Sequence, residues 1–273
     1  MSFDLDAYLA RIRLAECPAA DADGLHAVQR AHRLAIPFEN LDIRLGRGIR
    51  IDGESVFGKL VTAKRGGYCF EQNRLLLDAL TAIGFTARPL LARVLLGPPG
   101  VTPGLTHMLL LVTIDGLEWI ADAGFGGSYC PPMPLAEGAE VTGPDGATHR
   151  LIADERGWVL LRNGHAGATD GRGESEGWAE QYSFTLAPVA QADLAMSNHW
   201  TATAPGTRFV DLVVVSIALP AGFASLTDRS YKRHVRGEDT AAEIDDPRVY
   251  RMRLSMMFGI DLSAEEVAAL GLF

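Results

Sequence analysis

Arg65-Gly66-Gly67-Tyr68-Cys69-Phe70-Glu71-Gln72-Asn73 sets a cysteine just behind a glycine pair, with only Tyr68 between, and directly ahead of a stretch with helical spacing. Between residues 70 and 83, apolar side chains fall at Phe70, Leu76, Leu77, Leu80 and Ile83, and Gly84 supplies a C-terminal stop. The pattern predicts a helix that begins at the cysteine. A helix N-terminus is one of the few places where a thiolate is stabilised, and the thiolate is the form that attacks a carbonyl carbon. Cys69 is therefore a candidate nucleophile. Gly66 and Gly67 allow a sharp turn and leave room for a substrate beside the sulfur. A buried structural cysteine at an ordinary helix start fits the same local pattern.

Thr106-His107-Met108-Leu109-Leu110-Leu111-Val112-Thr113-Ile114 reads as a buried strand, and Leu117-Glu118-Trp119-Ile120-Ala121-Asp122 as a second. Asp115-Gly116 between them is the dipeptide that a two-residue type I′ hairpin prefers. With that turn, Ile114 faces Leu117, Leu109 faces Asp122 and His107 faces Gly124. His107 and Asp122 then become diagonal neighbours on one face, about 7–8 Å or less apart at Cβ. A carboxylate bonded to one imidazole nitrogen fixes the tautomer and leaves the other nitrogen to deprotonate a thiol. Cys69, His107 and Asp122 are the expected catalytic triad. The alternative is that His107 caps the strand end and Asp122 starts a turn.

Composition sets wider bounds. The chain has 273 residues, 48% of them hydrophobic, with a mean hydropathy of +0.09, which predicts a globular fold with room for more than one core. No apolar run suggests a membrane span, and the opening Met1-Ser-Phe-Asp-Leu-Asp lacks the marks of a secretory signal. Cys17, Cys69 and Cys130 show no metal-type spacing, so a reducing cytoplasm is expected. His26, His32, His149, His165, His199 and His234 also lack ligand spacing, and no metal is expected. A net charge of −9 and a pI near 5.3 argue against nucleic acid as a partner, and no membrane partner is expected. The basic run Arg229-Ser-Tyr-Lys232-Arg233-His234-Val-Arg236 reads as a solvated loop. Oligomeric state is left open.

Three regions separate by pattern, at 1–86, 87–190 and 191–273. The first is helical in style, as in Leu5, Tyr8, Leu9 and Ile12. The second alternates short strands with turns at Pro98-Pro99, Pro131-Pro132, Gly143-Pro-Asp-Gly146 and Asn163-Gly164, the pattern of an antiparallel barrel or sandwich. The third holds one strong strand, residues 208–218, and a closing helix whose Ser263 and Glu266 form a capping box. Residues 164–177 read as a glycine- and charge-rich loop.

These residues resemble a known family, the arylamine N-acetyltransferases of the bacterial type. The likeness is carried by residues 65–73, by Ile36-Pro-Phe-Glu-Asn-Leu-Asp42, by Thr106-His107 and by Ala121-Asp-Ala-Gly-Phe-Gly126, and it runs from Phe3 to Ile260. Ala123, where valine is usual, and Arg74, where a smaller residue is common, depart from the pattern and are expected to alter the walls near the site.

The resemblance implies an α+β fold: an N-terminal helical bundle with the nucleophile, a central antiparallel β-barrel with the histidine and aspartate, and a C-terminal α/β lid. Its core would be of the cysteine-protease or transglutaminase kind. It further implies acetyl-CoA as acyl donor, arylamine, arylhydroxylamine or hydrazine acceptors, a place in xenobiotic metabolism, and an acetyl-cysteine intermediate formed and discharged by a ping-pong mechanism. Phe38, Val94, Thr106, Phe125, Gly126 and Phe209 would line the substrate pocket. Glu39 and Arg65 would form a buried ion pair bracing the Cys69 loop. A related amide synthase or other acyl-CoA transferase, and a cysteine hydrolase with the same triad, remain as alternatives.

Overall fold

The computed structural model describes residues 3–98, 100–127, 129–165 and 177–273. The chain begins with α1 (Leu5–Ile12) and α2 (Ala22–Ala35), a two-residue strand β1 (Phe38–Glu39), and the short helices α3 (Leu41–Arg44) and α4 (Gly53–Phe57). Helix α5 (Cys69–Ile83) follows. Eight strands come next: β2 (Thr86–Val94), β3 (Leu105–Ile114), β4 (Leu117–Ala121), β5 (Met133–Pro134), β6 (Glu140–Thr142), β7 (Thr148–Asp154), β8 (Gly157–Asn163) and β9 (Ala179–Phe184). Helices α6 (Gln191–Thr203) and α7 (Arg208–Asp211) lead into β10 (Val214–Leu219), β11 (Gly222–Thr227), β12 (Ser230–Val235) and β13 (Glu238–Glu243). The chain closes with α8 (Pro247–Phe258) and α9 (Ala264–Ala269).

The α+β expectation is met. Strands β5-β4-β3-β2-β9-β8-β7-β6 form an antiparallel, nearly closed barrel-like sheet, and β1-β10-β11-β12-β13 form a second antiparallel sheet. Asp115 (φ 50°) and Gly116 (φ 80°) both take the positive φ that a type I′ turn demands. Strand β3 reads as a continuous apolar run because both of its faces are buried. Met108, Leu110, Val112 and Ile114 join the helical core with α5, whereas Leu109 and Leu111 point into the barrel beside Leu90 and Ala92 of β2.

Several readings need correction. The strand expected over residues 208–218 begins only at Val214. The preceding residues form α7, where Asn40 donates to the carbonyls of Phe209 and Leu212 at 2.8 and 2.7 Å. The C-terminal region holds four strands instead of one, and the basic run at 229–236 contains β12 instead of a loop. Lys232 and Arg233 on that strand are exposed, and Arg229 pairs with Glu243 and Asp245. Sequence inspection missed β13 because it is exposed along its whole length, so no apolar alternation announces it. The capping box of α9 forms as expected, with Ser263 and Glu266 bonding each other's backbone N–H. Most of the loop expected at 164–177, and Pro99, lie outside the described residues.

Candidate active site

Cys69 is the first residue of α5, as the helical spacing predicts. The helix start is fixed by Glu71, whose carboxylate accepts from the Tyr68 N–H at 3.1 Å. The glycine pair ahead of it serves close packing rather than substrate space. A Cβ on Gly66 would stand 2.2 Å from the Pro37 carbonyl oxygen, and one on Gly67 would stand 2.8 Å from the Glu71 side chain. The expected Glu39–Arg65 pair is present at 2.7 Å, inside a larger buried network. Lys59 joins it, 2.9 Å from both Asp42 and Glu71. Burial works against the Lys59 charge, but Glu39, Glu71 and Asp42 hold its pKa above the usual value.

His107, near the start of β3, is buried, and its Nε2 lies 2.8 Å from Asp122 Oδ2. The hairpin register is as expected from Ile114↔Leu117 to Leu110↔Ala121, but the ladder ends there. Asp122 leaves the strand, so it meets His107 from a loop instead of across a pair of strands. Its Oδ1 is gathered by the N–H groups of Gly124 (2.8 Å) and Phe125 (3.0 Å) and by Asn73 Nδ2 (2.9 Å). Burial alone would raise the Asp122 carboxyl, yet His107, Asn73 and the Gly124 N–H outweigh it and hold the pKa below the usual carboxylate value.

A cavity of about 340 Å³ opens at this rim of the barrel. Cys69 and His107 line it, and so do all six expected pocket residues: Phe38, Val94, Thr106, Phe125, Gly126 and Phe209. Phe38 and Phe209 lie 5.6 Å apart at their ring centroids, and Phe125 meets the His107 ring edge-on at 5.1 Å. Asp122 stands behind His107 and does not line this cavity. The Cys69 Sγ is 3.7 Å from the Thr106 carbonyl oxygen. Burial pushes the Cys69 thiol up to about 12, with the N–H groups of Met108 and Phe70 pulling against it.

The profile of the N-acetyltransferase family matches residues 21–267. An arylamine N-acetyltransferase / N-hydroxyarylamine O-acetyltransferase of Salmonella typhimurium is 37% identical over 268 residues, 96% of this chain and 91% of the relative. A solved arylamine N-acetyltransferase from Salmonella typhimurium superposes with a TM-score of 0.90 at 33% identity, covering 98% of each chain. That of Mycobacterium marinum in complex with CoA gives a TM-score of 0.88 at 29% identity, again covering 98% of each. The chain belongs to the arylamine N-acetyltransferase family. It is an acetyltransferase enzyme.

Sequence inspection of this acetyltransferase missed the residues that hold the site together. Asn73 donates to the Met108 carbonyl (2.6 Å) and accepts from the Ala123 N–H (2.9 Å), besides bonding Asp122. Its position one helical turn after Cys69 was the available signal. Gln29 of α2 accepts from the Asp122 N–H at 2.9 Å and donates to the Cys130 carbonyl at 2.8 Å. The two departures from the family pattern do not touch the pocket. Arg74 pairs with Asp78 at 2.9 Å, and Ala123 is buried with its backbone bonded to Asn73 and Arg33.

The fold also brings together His165, His234 and Asp239, histidines whose sequence spacing gave no hint of a cluster. The two imidazoles stack with centroids 5.0 Å apart, and the Asp239 carboxylate lies beside them, 2.6 Å from His234 Nδ1 and 3.7 Å from His165 Nε2. His234 and Asp239 are joined by a direct hydrogen bond. Among the described residues, no helix is long and apolar enough to cross a membrane.

Proposed function

We propose that this enzyme transfers the acetyl group of acetyl-CoA to arylamines, arylhydroxylamines and hydrazines in two half-reactions through an acetyl-Cys69 intermediate. The observation that carries the proposal is that Cys69 and His107 share one aromatic-walled cavity, with His107 held by Asp122 at 2.8 Å. With Nε2 committed to Asp122, Nδ1 is the nitrogen that takes the thiol proton. A buried thiol needs such a base, and a buried imidazolium needs such a carboxylate.

In the first half-reaction the Cys69 sulfur attacks the thioester carbonyl, and its proton passes to His107. The tetrahedral intermediate collapses by breaking the carbon–sulfur bond to CoA, whose sulfur receives the proton. In the second, the amine nitrogen attacks acetyl-Cys69 and gives its proton to His107. The amide forms, and the proton returns to the Cys69 sulfur. The N–H groups at the start of α5, that of Cys69 foremost, are the donors for the oxyanion. Phe38, Phe125 and Phe209 provide apolar faces for an aromatic acceptor, and Val94, Thr106 and Gly126 complete the wall. The division of the chain near residues 86 and 190, with the site at the junction, belongs to this proposal. So does a cytoplasmic setting, which keeps Cys17, Cys69 and Cys130 as the free thiols they are here.

The test is the intact mass of the protein after mixing with acetyl-CoA and no amine. The wild type gains one acetyl group and loses it on addition of an arylamine, while Cys69→Ala gains none. A wild type that stays unmodified overturns the proposal.

A further inference from the structure

A second, water-sized cavity of about 10 Å³ lies against the Asp122 side chain, walled in part by Arg33, Cys130, His149, Gln181 and Tyr182. Arg33, on α2, is buried at 4% exposure, and among the described residues no carboxylate comes within salt-bridge distance of it. Its two terminal nitrogens instead donate to the carbonyls of Ala123 and Gly127, each at 3.1 Å. These carbonyls belong to the loop that carries Gly124, Phe125 and Gly126 into the substrate pocket. A buried guanidinium without a touching counter-charge is costly, so its position calls for a reason.

Two buried polar atoms of the cavity's walls have no direct partner, Arg33 Nε and His149 Nδ1, while the Tyr182 hydroxyl interacts with Asp122. One water in the cavity can accept from Arg33 Nε and donate to Asp122, with His149 Nδ1 as its third partner. The groups facing Arg33 are Asp122, Tyr129, Cys130 and Asp145, and Asp145 lies 3.6 Å from Arg162. His149 adds no positive charge, because burial pushes its pKa down to about 4. Arg33 is thus the cation at this cavity, and Asp122 is the strongest of its electrostatic partners.

We propose that Arg33 is a positioning residue of the transfer reaction. Its guanidinium fixes the loop at 122–127 through two carbonyls and, through one internal water, adds a positive charge behind Asp122 to the support that His107, Asn73 and the Gly124 N–H give its carboxylate. This rests on reading Cys69, His107 and Asp122 as the triad.

The experiment is the pH dependence of Cys69 alkylation by iodoacetamide, followed at the peptide level, in wild type, Arg33→Met and Arg33→Lys, with melting temperatures alongside. Removing a positive charge favours the protonated form of every group nearby. The acid limb of Arg33→Met therefore moves to higher pH by about one unit, while Arg33→Lys, which keeps the charge, retains the wild-type limb with slower acetyl transfer. A folded Arg33→Met with an unmoved limb overturns the proposal, and so does an Arg33→Lys limb displaced from wild type. The lysine variant carries the test if the neutral one does not fold. A wild-type Cys69 that reacts with no acid limb at all counts against the triad instead.

Discussion

The Asp122 carboxylate accepts four hydrogen bonds, and only one comes from His107. The other three fix its position, so that the bond to the imidazole is aimed before substrate arrives. An amide at this place has a single acceptor oxygen and no charge to balance an imidazolium. Asp122→Asn should lower kcat for acetyl transfer by about 10³-fold or more, with the acetyl-Cys69 half-reaction slowed to match. Single-turnover kinetics check this, and a loss under about tenfold would mean that His107 works without a charged partner. At this scale the sequence was most informative where chemistry is local. The cysteine behind two glycines and the polar pair flanking an apolar hairpin were both legible. Asn73 was not, because its role depends on three groups from β3 and the loop after β4, none of them near it in sequence.

Between elements, the decisive contact is the loop after β4 laid against the start of α5. A Cβ on Gly124 would stand 2.7 Å from both the Cα and the carbonyl oxygen of Cys69, and 2.5 Å from Asn73 Nδ2. Backbone atoms cannot move aside as the tip of a long side chain can. Gly124→Ala should therefore cost about 1–3 kcal/mol of stability and reduce transfer by displacing Cys69 from His107. Urea unfolding and acetylation kinetics on the same variant test both parts. Unchanged kinetics in a destabilised protein would separate the loop from the chemistry. The hairpin illustrates what was readable between elements. Asp115-Gly116 set the turn type and the register, because two positive φ angles leave few alternatives. Where the ladder would stop was not readable, since the donors that draw Asp122 out of the strand lie in the loop itself and on α5.

At the scale of the whole molecule, a buried charge network joins the helical region to the site. Burial, opposed by Lys59 and reinforced by Glu39, pushes the Glu71 carboxyl from its ordinary 4.5 up to about 7. The folded protein thus holds a proton there that the unfolded chain has already released. Stability from this group is complete below the unfolded value of 4.5 and is lost as pH rises through about 7. Glu71→Gln should flatten the decline in melting temperature between about pH 5 and 8. An equal slope in both proteins would assign the decline to other groups.

The sequence by itself determined the start of α5 at Cys69, the turn that pairs β3 with β4, and the cysteine, histidine and aspartate from which the triad is proposed. Each of these follows from capping, glycine placement or two-residue periodicity, which act over a few neighbouring positions. Only the tertiary structure decided that Asp122 leaves its strand and that Asn73, Gln29 and Arg33 secure it. The same holds for Phe209, which reaches the pocket from α7 because Asn40 holds the backbone on either side of it. Those contacts join segments far apart in the chain. Their geometry is set by how the helical core, the barrel and the second sheet pack together, a property that no local stretch of residues encodes.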